Sequence, residues 1–575
     1  MIEINHLERK DPTIQWEDVK HVFEELTARD ISSLDKVKEY IKDKSEIDSL
    51  LSANYAWRYI NKSCDTTDVT LERYFNHFIE DIEPKRSKTN DILNKKLISS
   101  PIIEDLGEKY QVLIRDIKTS IWLFREENIP LFTQEQKLQS EYNKLTSQMS
   151  IIYDWKEITL PEASKFLRSK DREIRKEARE KIIKRRSQDR ESIHHILDQL
   201  IIIRNTIANN CGYRSYTDYM YVAMGRYDYN KHDIATFHRS IKDIFAPILK
   251  VINTHRKDAL WYDKLLPYDY DVSIYDTPEI TPYTDQNDLV SKVSDCLDKI
   301  HKWFGDIIKD LDQKGMLDLT TRKWKNSWWY NFGISGTPDS FIFMNATNDL
   351  YGMMTMIHEC GHALHYHHSK DVFLDTLRHP PSEICEVASM WLELLSFEHL
   401  DSFISQEDMI NVSKIDKLED DIGLFPRVSK IDLFQQRLYD HPNHSHKQRE
   451  SYWLWLCRDY PYGMAIGDIW SWDIYEDDLA IIRQKQSHIF SNPFYYIEYA
   501  IAQLWSIKLW MDSYQDLSNT IQNYINFMKI WNTLPLPKLF EAGGMRFVFD
   551  YKYIHELINF TFNYLKKLYH KMDKK

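Results

Sequence analysis

Glycine is scarce in this chain, with 14 among 575 residues. That argues against a turn-rich β protein and against a nucleotide fold built on glycine loops. Neither a G-x-G-x-x-G fingerprint nor a Walker sequence occurs. Cysteine is scarce too. Cys64, Cys211, Cys296, Cys360, Cys385 and Cys457 are scattered without a C-x-x-C pair. No disulfide framework or thiolate zinc site is implied, and a reducing compartment fits. There is no excess of basic residues: Lys+Arg 75 against Asp+Glu 88 gives a net charge of −13. Nucleic acid and anionic membrane, which both require a basic footprint, are therefore disfavoured as partners. No run approaches the roughly 18 apolar residues of a membrane span, and the first ten residues lack the apolar stretch of a secretory leader. The expectation is a cytoplasmic protein with no nucleic-acid or membrane partner. Composition leaves its oligomeric state open.

A chain of this length exceeds one compact core, so two lobes or one large helical body with a cleft is expected. Residues 14–150 read as successive amphipathic helices with turns at Asp30-Ile31-Ser32-Ser33 and Thr66-Thr67-Asp68. Residues 151–160 suit a short hairpin, after which Pro161 fits the first turn of a helix. Residues 171–210 predict one long helix. Its Lys181–Arg186 charges read as a solvated face neutralised by Glu177, Glu180 and Asp189. Asn331–Asn345 is the best strand candidate, whose edge could pair with a substrate backbone. Residues 451–512 are dense in aromatics, and Trp453, Trp455, Trp470, Trp472, Trp505 and Trp510 are expected mainly in the core or between lobes.

The densest chemical signal is His358-Glu359-Cys360-Gly361-His362, an H-E-x-x-H motif in helix-compatible surroundings. Positions i and i+4 of a helix share a face, so His358 and His362 can present ring nitrogens to one metal ion. Glu359, offset by about 100°, can sit beside that metal and hold a water without being a ligand. This is the arrangement of a zinc peptidase. Catalytic zinc with two histidines wants a third protein ligand and keeps a fourth position open. Residues 381–393 predict a second helix that opens at Pro381-Ser382 and carries Glu383, Glu386 and Glu393 on one rough face. One of these carboxylates can bind the metal while another orients a ligating histidine. His365, His367 and His368 are rival ligands. Cys360 and Cys385, each next to a candidate residue, are expected to face the core as small hydrophobes.

With Glu386, Ser389 and Glu393 forming a Glu-x-x-Ser-x-x-x-Glu pattern after the H-E-x-x-H helix, the chain resembles the thimet oligopeptidase and oligoendopeptidase F family of zinc metallopeptidases. Phe341-Ile-Phe-Met-Asn345 resembles the strand before the zinc helix of that family. Residues 169–178, Arg204–Ala208 and Gly212-Tyr213 resemble its long helical segment, and His488–Tyr499 its substrate-binding segment. Leu536-Pro537 and Phe540–Gly543 resemble its C-terminal end. The likeness covers roughly residues 140–550. It departs from the family at 328–336, where aromatics replace the usual glycine-rich turn.

The resemblance implies a mainly α protein. A two-lobed helical body would surround a deep substrate channel, with a small β-sheet next to the zinc helix. It divides the chain into an N-terminal helical region (1–165) and a catalytic region (166–575). It implies one Zn2+ per chain held by His358, His362 and Glu386, with Glu359 as general base. The Tyr496-Ile-Glu-Tyr499 segment further resembles that of angiotensin-converting-enzyme-like peptidases, which implies Tyr499 and His488 as oxyanion donors and Tyr496 as a substrate contact. The implied activity is a metalloendopeptidase (EC 3.4.24 class) acting on short oligopeptides. A peptidyl dipeptidase or carboxypeptidase on the same scaffold is an alternative, as is a zinc-stabilised peptide-binding protein with little turnover.

Overall fold

The computed structural model describes residues 7–276, 281–326, 329–461 and 472–574. It is mainly helical, with two small sheets. One is a hairpin of β1 (Ser150–Tyr153) and β2 (Lys156–Thr159). The other has three strands, β3 (Leu317–Thr320), β4 (Tyr330–Gly333) and β5 (Ser340–Ala346), in the order β3-β5-β4. β5 runs parallel to β3 and antiparallel to β4.

The N-terminal helices break where short polar side chains can replace a backbone partner. Ser33 caps the Leu34–Cys64 helix by accepting from the Lys36 N–H at 3.4 Å. Asp68 caps Val69–His77 by accepting from Thr70 and Leu71. In the predicted 151–160 hairpin, Asp154 and Trp155 take positive φ values of 47° and 63°, as a tight two-residue turn requires. Thr159 and Glu162 then form a capping box on the Leu160–Ser164 helix.

Two expectations need correction. The 171–210 helix is two helices, Arg172–Gln188 and Arg190–Asn210, parted at Asp189 (φ −104°, ψ 10°). The polar Ser187-Gln188-Asp189 run gives the first helix no apolar contact to continue on, while Asp189 pairs with Arg185 and Lys181 with Glu177. The single strand at 331–345 is the antiparallel pair β4–β5. Gly336 turns the chain at φ +80°, Pro338 follows, and the Ile334 N–H meets the Asp339 carbonyl at 3.0 Å. Both residues are turn formers for different physical reasons.

Three hydrophobic clusters hold the body together. The largest joins the sheet and the helices Leu350–His367, Ser382–Ser396, Glu407–Asp440, Tyr496–Ser513 and Tyr551–Met572, and it includes Trp391, Trp505 and Trp510. A second gathers the N-terminal helices around Phe23, Tyr40 and Leu51, and reaches Tyr366 and Trp531. A third ties the Arg190–Asn210 helix to Phe434, Trp453 and Phe490. Each fully buried side chain of this kind contributes about 1.5–3 kcal/mol. Of the aromatic stretch, Trp453, Trp505 and Trp510 are core residues, whereas Trp455 is half exposed. Trp470 lies outside the described residues, as does the side chain of Trp472.

Candidate active site

The Leu350–His367 helix follows directly from β5. Asp349 starts it by accepting from the Gly352 N–H at 2.8 Å. Edge strand β4 braces its middle, where the Asn331 amide donates to the Glu359 carbonyl at 3.3 Å. The Ser382–Ser396 helix crosses it in close contact at Gly361. A Cβ there would lie 2.5 Å from the Ser389 Cα and 2.7 Å from the Ala388 carbonyl oxygen. Glycine inside the motif therefore sets how near the two helices come.

That approach brings His358, His362 and Glu386 together. Their donor atoms lie within 4.8 Å of one another, the only such group of three or more found among the described residues. Glu386 Oε2 is 3.5 Å from His358 Nε2 and 3.7 Å from His362 Nε2. Two ligands placed about 2.0–2.1 Å from a tetrahedral zinc lie roughly 3.3–3.5 Å apart. The donors, two imidazoles and one carboxylate, and their spacing both fit that ion.

A layer of hydrogen bonds orients these donors. Glu393 Oε1 meets His358 Nδ1 at 2.6 Å, and its other oxygen meets Lys417 Nζ at 2.9 Å. Lys417 pairs in turn with Asp421. The Tyr495 hydroxyl donates to Glu386 Oε1 at 2.7 Å, and Ser389 donates to Glu386 Oε2 at 3.3 Å. The Cys385 backbone holds the His362 ring. Such partners fix ring orientation and ligand basicity. Glu383 points elsewhere, accepting from the Tyr229 hydroxyl at 2.6 Å beside the buried Arg226–Glu498 pair.

The electrostatics favour a cation. Burial works against charge on His358, but hydrogen bonds to Glu386 and Glu393 prevail and hold its pKa well above the ordinary imidazole value. Burial would raise Glu386, yet His362, His358 and the Tyr495 hydroxyl bring it down to about 2. Burial takes His362 down to about 4. Glu359 is 2 % exposed and its Oε2 has no protein partner. Burial pushes its pKa up to about 8, with His358 opposing and Glu386 and Glu393 adding to the rise.

Tyr496 and Tyr499 open the Tyr496–Ser513 helix. The Tyr499 hydroxyl lies 3.4 Å from His488 Nε2. Burial and the Glu386 charge keep that hydroxyl protonated, and Glu359 adds to the effect. His488 is held at about 4 by burial. The Gln486 amide nitrogen lies 3.0 Å from Nδ1, which suits a neutral ring with its proton on Nε2. Tyr496 packs edge-on against His488, with ring centroids 4.9 Å apart, and against Tyr499 at 5.4 Å.

His365, His367 and His368 stand apart from the donor group. His365 is buried and stacks on Trp531 at 4.2 Å, and His368 packs edge-on against Trp303. Cys360 is fully buried as expected, but Cys385 remains partly exposed. Sequence reasoning assigned no role to Tyr495 or Lys417. Tyr495 sat inside the recognised segment without any spacing to tie it to Glu386. Lys417 comes from a separate helix.

Residues 8–124 match the peptidase M3 N-terminal domain, and residues 165–557 match peptidase family M3. The chain is 25% identical over 264 residues to oligopeptidase PepF of Bacillus subtilis (strain 168), covering 43% of this chain and 36% of that protein. The alignment thus spans about a third of the Bacillus protein's length. It is 22% identical over 487 residues to an oligoendopeptidase F homolog of Borreliella burgdorferi, covering 80% of this chain and 77% of that one. The fold is similar to that of PZ peptidase A, solved with an inhibitor, with a TM-score of 0.90 and 24% identity over 96% of this chain and 97% of the other.

Proposed function

The chain belongs to peptidase family M3, and on that premise we propose that it is a zinc-dependent endopeptidase of short peptides. The observation that carries this reading is the convergence of His358, His362 and Glu386 beside a buried Glu359 oxygen that has no protein partner. One zinc held there would supply Lewis acidity, acidifying a water toward neutral pKa and polarising the scissile carbonyl.

The remaining chemistry falls to the side chains. Glu359 takes the proton of the attacking water at its carboxylate and passes it to the leaving amine. A dication held by His358, His362 and Glu386 would favour its carboxylate form, against the burial that raises its pKa to about 8. The Tyr499 hydroxyl and His488 Nε2–H are the donors assigned to the oxyanion of the tetrahedral intermediate. Tyr496 is assigned to substrate positioning. β4, an edge of the three-stranded sheet, offers backbone groups with which an extended peptide can pair. Retention of Glu359 argues against a binding protein without turnover, since binding alone needs no general base.

Two further points belong to the proposal. The division into an N-terminal region ending at residue 165 and a catalytic region from 166 is retained. The helical body is taken to enclose a channel that admits peptides and excludes folded domains.

The ligand assignment is tested by elemental analysis of protein purified without added metal. One zinc per chain is expected in the wild type, with a large loss in Glu386→Ala. Stoichiometric zinc in that variant would overturn the assignment.

A further inference from the structure

A half-exposed aromatic pair extends the face that carries the donor group. Tyr351 lies on the same helix as His358 and His362, seven residues before the first and eleven before the second. At about 100° per residue, both spacings return to within about 20° of one face. The next residues, Gly352, Met353 and Met354, are buried, whereas Tyr351 is 48 % exposed. Trp329, 46 % exposed, meets it edge-on with ring centroids 5.8 Å apart. Arg168 lies over the Tyr351 ring at 5.6 Å and is itself tied to Asp349 at 3.1 Å.

The pair sits along the path on which a peptide would lie. Trp329 immediately precedes edge strand β4. Trp329 touches Tyr351, and Asn331 bonds the Glu359 carbonyl, so the strand follows the helix from the aromatic pair toward Glu359. A peptide paired with β4 passes the pair and the donor group in turn. Seven residues of helix rise about 10 Å, which an extended peptide covers in about three residues. The surroundings are those of a cleft. Although half of Tyr351 reaches solvent, desolvation by the protein around it raises its hydroxyl pKa, with Asp420 and Tyr496 adding to the rise against Arg168 and Arg427. Surface aromatics scattered singly are ordinary, but these two are in contact and continuous with the β4 edge.

We propose that Trp329 and Tyr351 form a subsite for an aromatic side chain of the substrate, about three residues from the scissile bond. The inference rests on the peptidase reading and narrows its substrate class to peptides that carry Phe, Tyr or Trp at that place. A guest ring would stack on the exposed half of the pair and remove apolar area from water. Trp329 falls in the 328–336 stretch, where aromatics replace the usual glycine-rich turn, so the preference is a property of this chain and not of that turn.

The test uses the full chain with zinc added and a peptide series with Phe or Ala as guest at each position two to four residues from the scissile bond, on either side. The quantity read is the ratio of kcat/KM for Phe over Ala at each position, in the wild type, in Trp329→Ala and in Tyr351→Ala. Loss of folded protein lowers both members of the ratio alike and leaves it unmoved. The expected result is a ratio of roughly ten or more at one position in the wild type, falling several-fold toward one in each variant. A ratio near one at every position, or a preference that survives intact in either variant, would overturn the subsite. If the wild type cuts none of the peptides, the peptidase reading fails by itself. Calorimetric affinities of the same peptides then supply the Phe-to-Ala ratio by which the subsite stands or falls.

Discussion

Glu359 owes its predicted role to two properties: an unpartnered buried oxygen and a place beside the donor group without membership in it. Glu359→Gln keeps the shape but cannot accept a proton. The expected loss of kcat is roughly 10²–10⁴-fold, with zinc content and peptide binding retained; near-normal kcat would remove the residue from the mechanism. Tyr499 and Tyr496, three residues apart on one helix, should behave differently. A hydroxyl that serves the oxyanion acts only as charge develops, so Tyr499→Phe should lower kcat by about 10²-fold or more with little change in KM. Tyr496→Phe should act mainly through KM. The opposite pattern in steady-state kinetics would reverse the two assignments. At this scale the sequence was informative where spacing itself carries geometry. An i, i+4 pair of histidines can meet a metal only if helical, and the helix is there. Tyr495 on Glu386 and Lys417 on Glu393 depend on how separate helices cross, which spacing along the chain does not encode.

Two helices crossing at a glycine make the donor group. Because a Cβ on Gly361 would press on the backbone at Ala388 and Ser389, Gly361→Ala cannot be absorbed by a side-chain rotation. The Ser382–Ser396 helix must shift, carrying Glu386 and Glu393 with it. The expected cost is about 1–3 kcal/mol of overpacking, read as a lower unfolding midpoint, together with weaker zinc retention against a chelator. Unchanged zinc affinity would mean that Glu386 does not depend on this contact. The errors at the element scale have local causes. Gly336 and Pro338 mark a turn inside the 331–345 segment, which reading the segment as one strand passes over. At Asp189 the helical charge pattern continues across the break, so periodicity alone could not mark it.

The same sheet that braces the Leu350–His367 helix is tied by charge. Burial would raise the Asp318 carboxyl, but hydrogen bonds from Arg322 and Lys325 outweigh it and hold its pKa at about 2. Lys325 also bonds the Met344 carbonyl of β5. A carboxylate with a lowered folded-state pKa stabilises above its unfolded value and loses that contribution as pH falls toward the folded one. Asp318→Asn should therefore lose on the order of 2 kcal/mol at pH 7, with the deficit steady down to about pH 5 and shrinking below about pH 4. Unfolding midpoints at pH 7, 5 and 3.5 check this, and a deficit independent of pH would assign the effect to packing.

For the molecule as a whole, the helical architecture, the sheet beside the motif helix and the family were legible from composition and ordered motifs. If the body encloses a channel, a peptide cut when free should survive within a stable folded host, since a narrow passage threads one extended strand. Rapid cleavage inside the intact host, followed by mass spectrometry, would point to an open cleft. The central claim is zinc-dependent hydrolysis of peptides, and its most direct test is mass spectrometry of a random peptide pool incubated with the protein. The protein would be used as purified, after chelator treatment, and after zinc is restored. Internal cleavage of short peptides that stops with the chelator and returns with zinc is the predicted result. Cleavage unaffected by the chelator, or none at all with zinc bound, would contradict it.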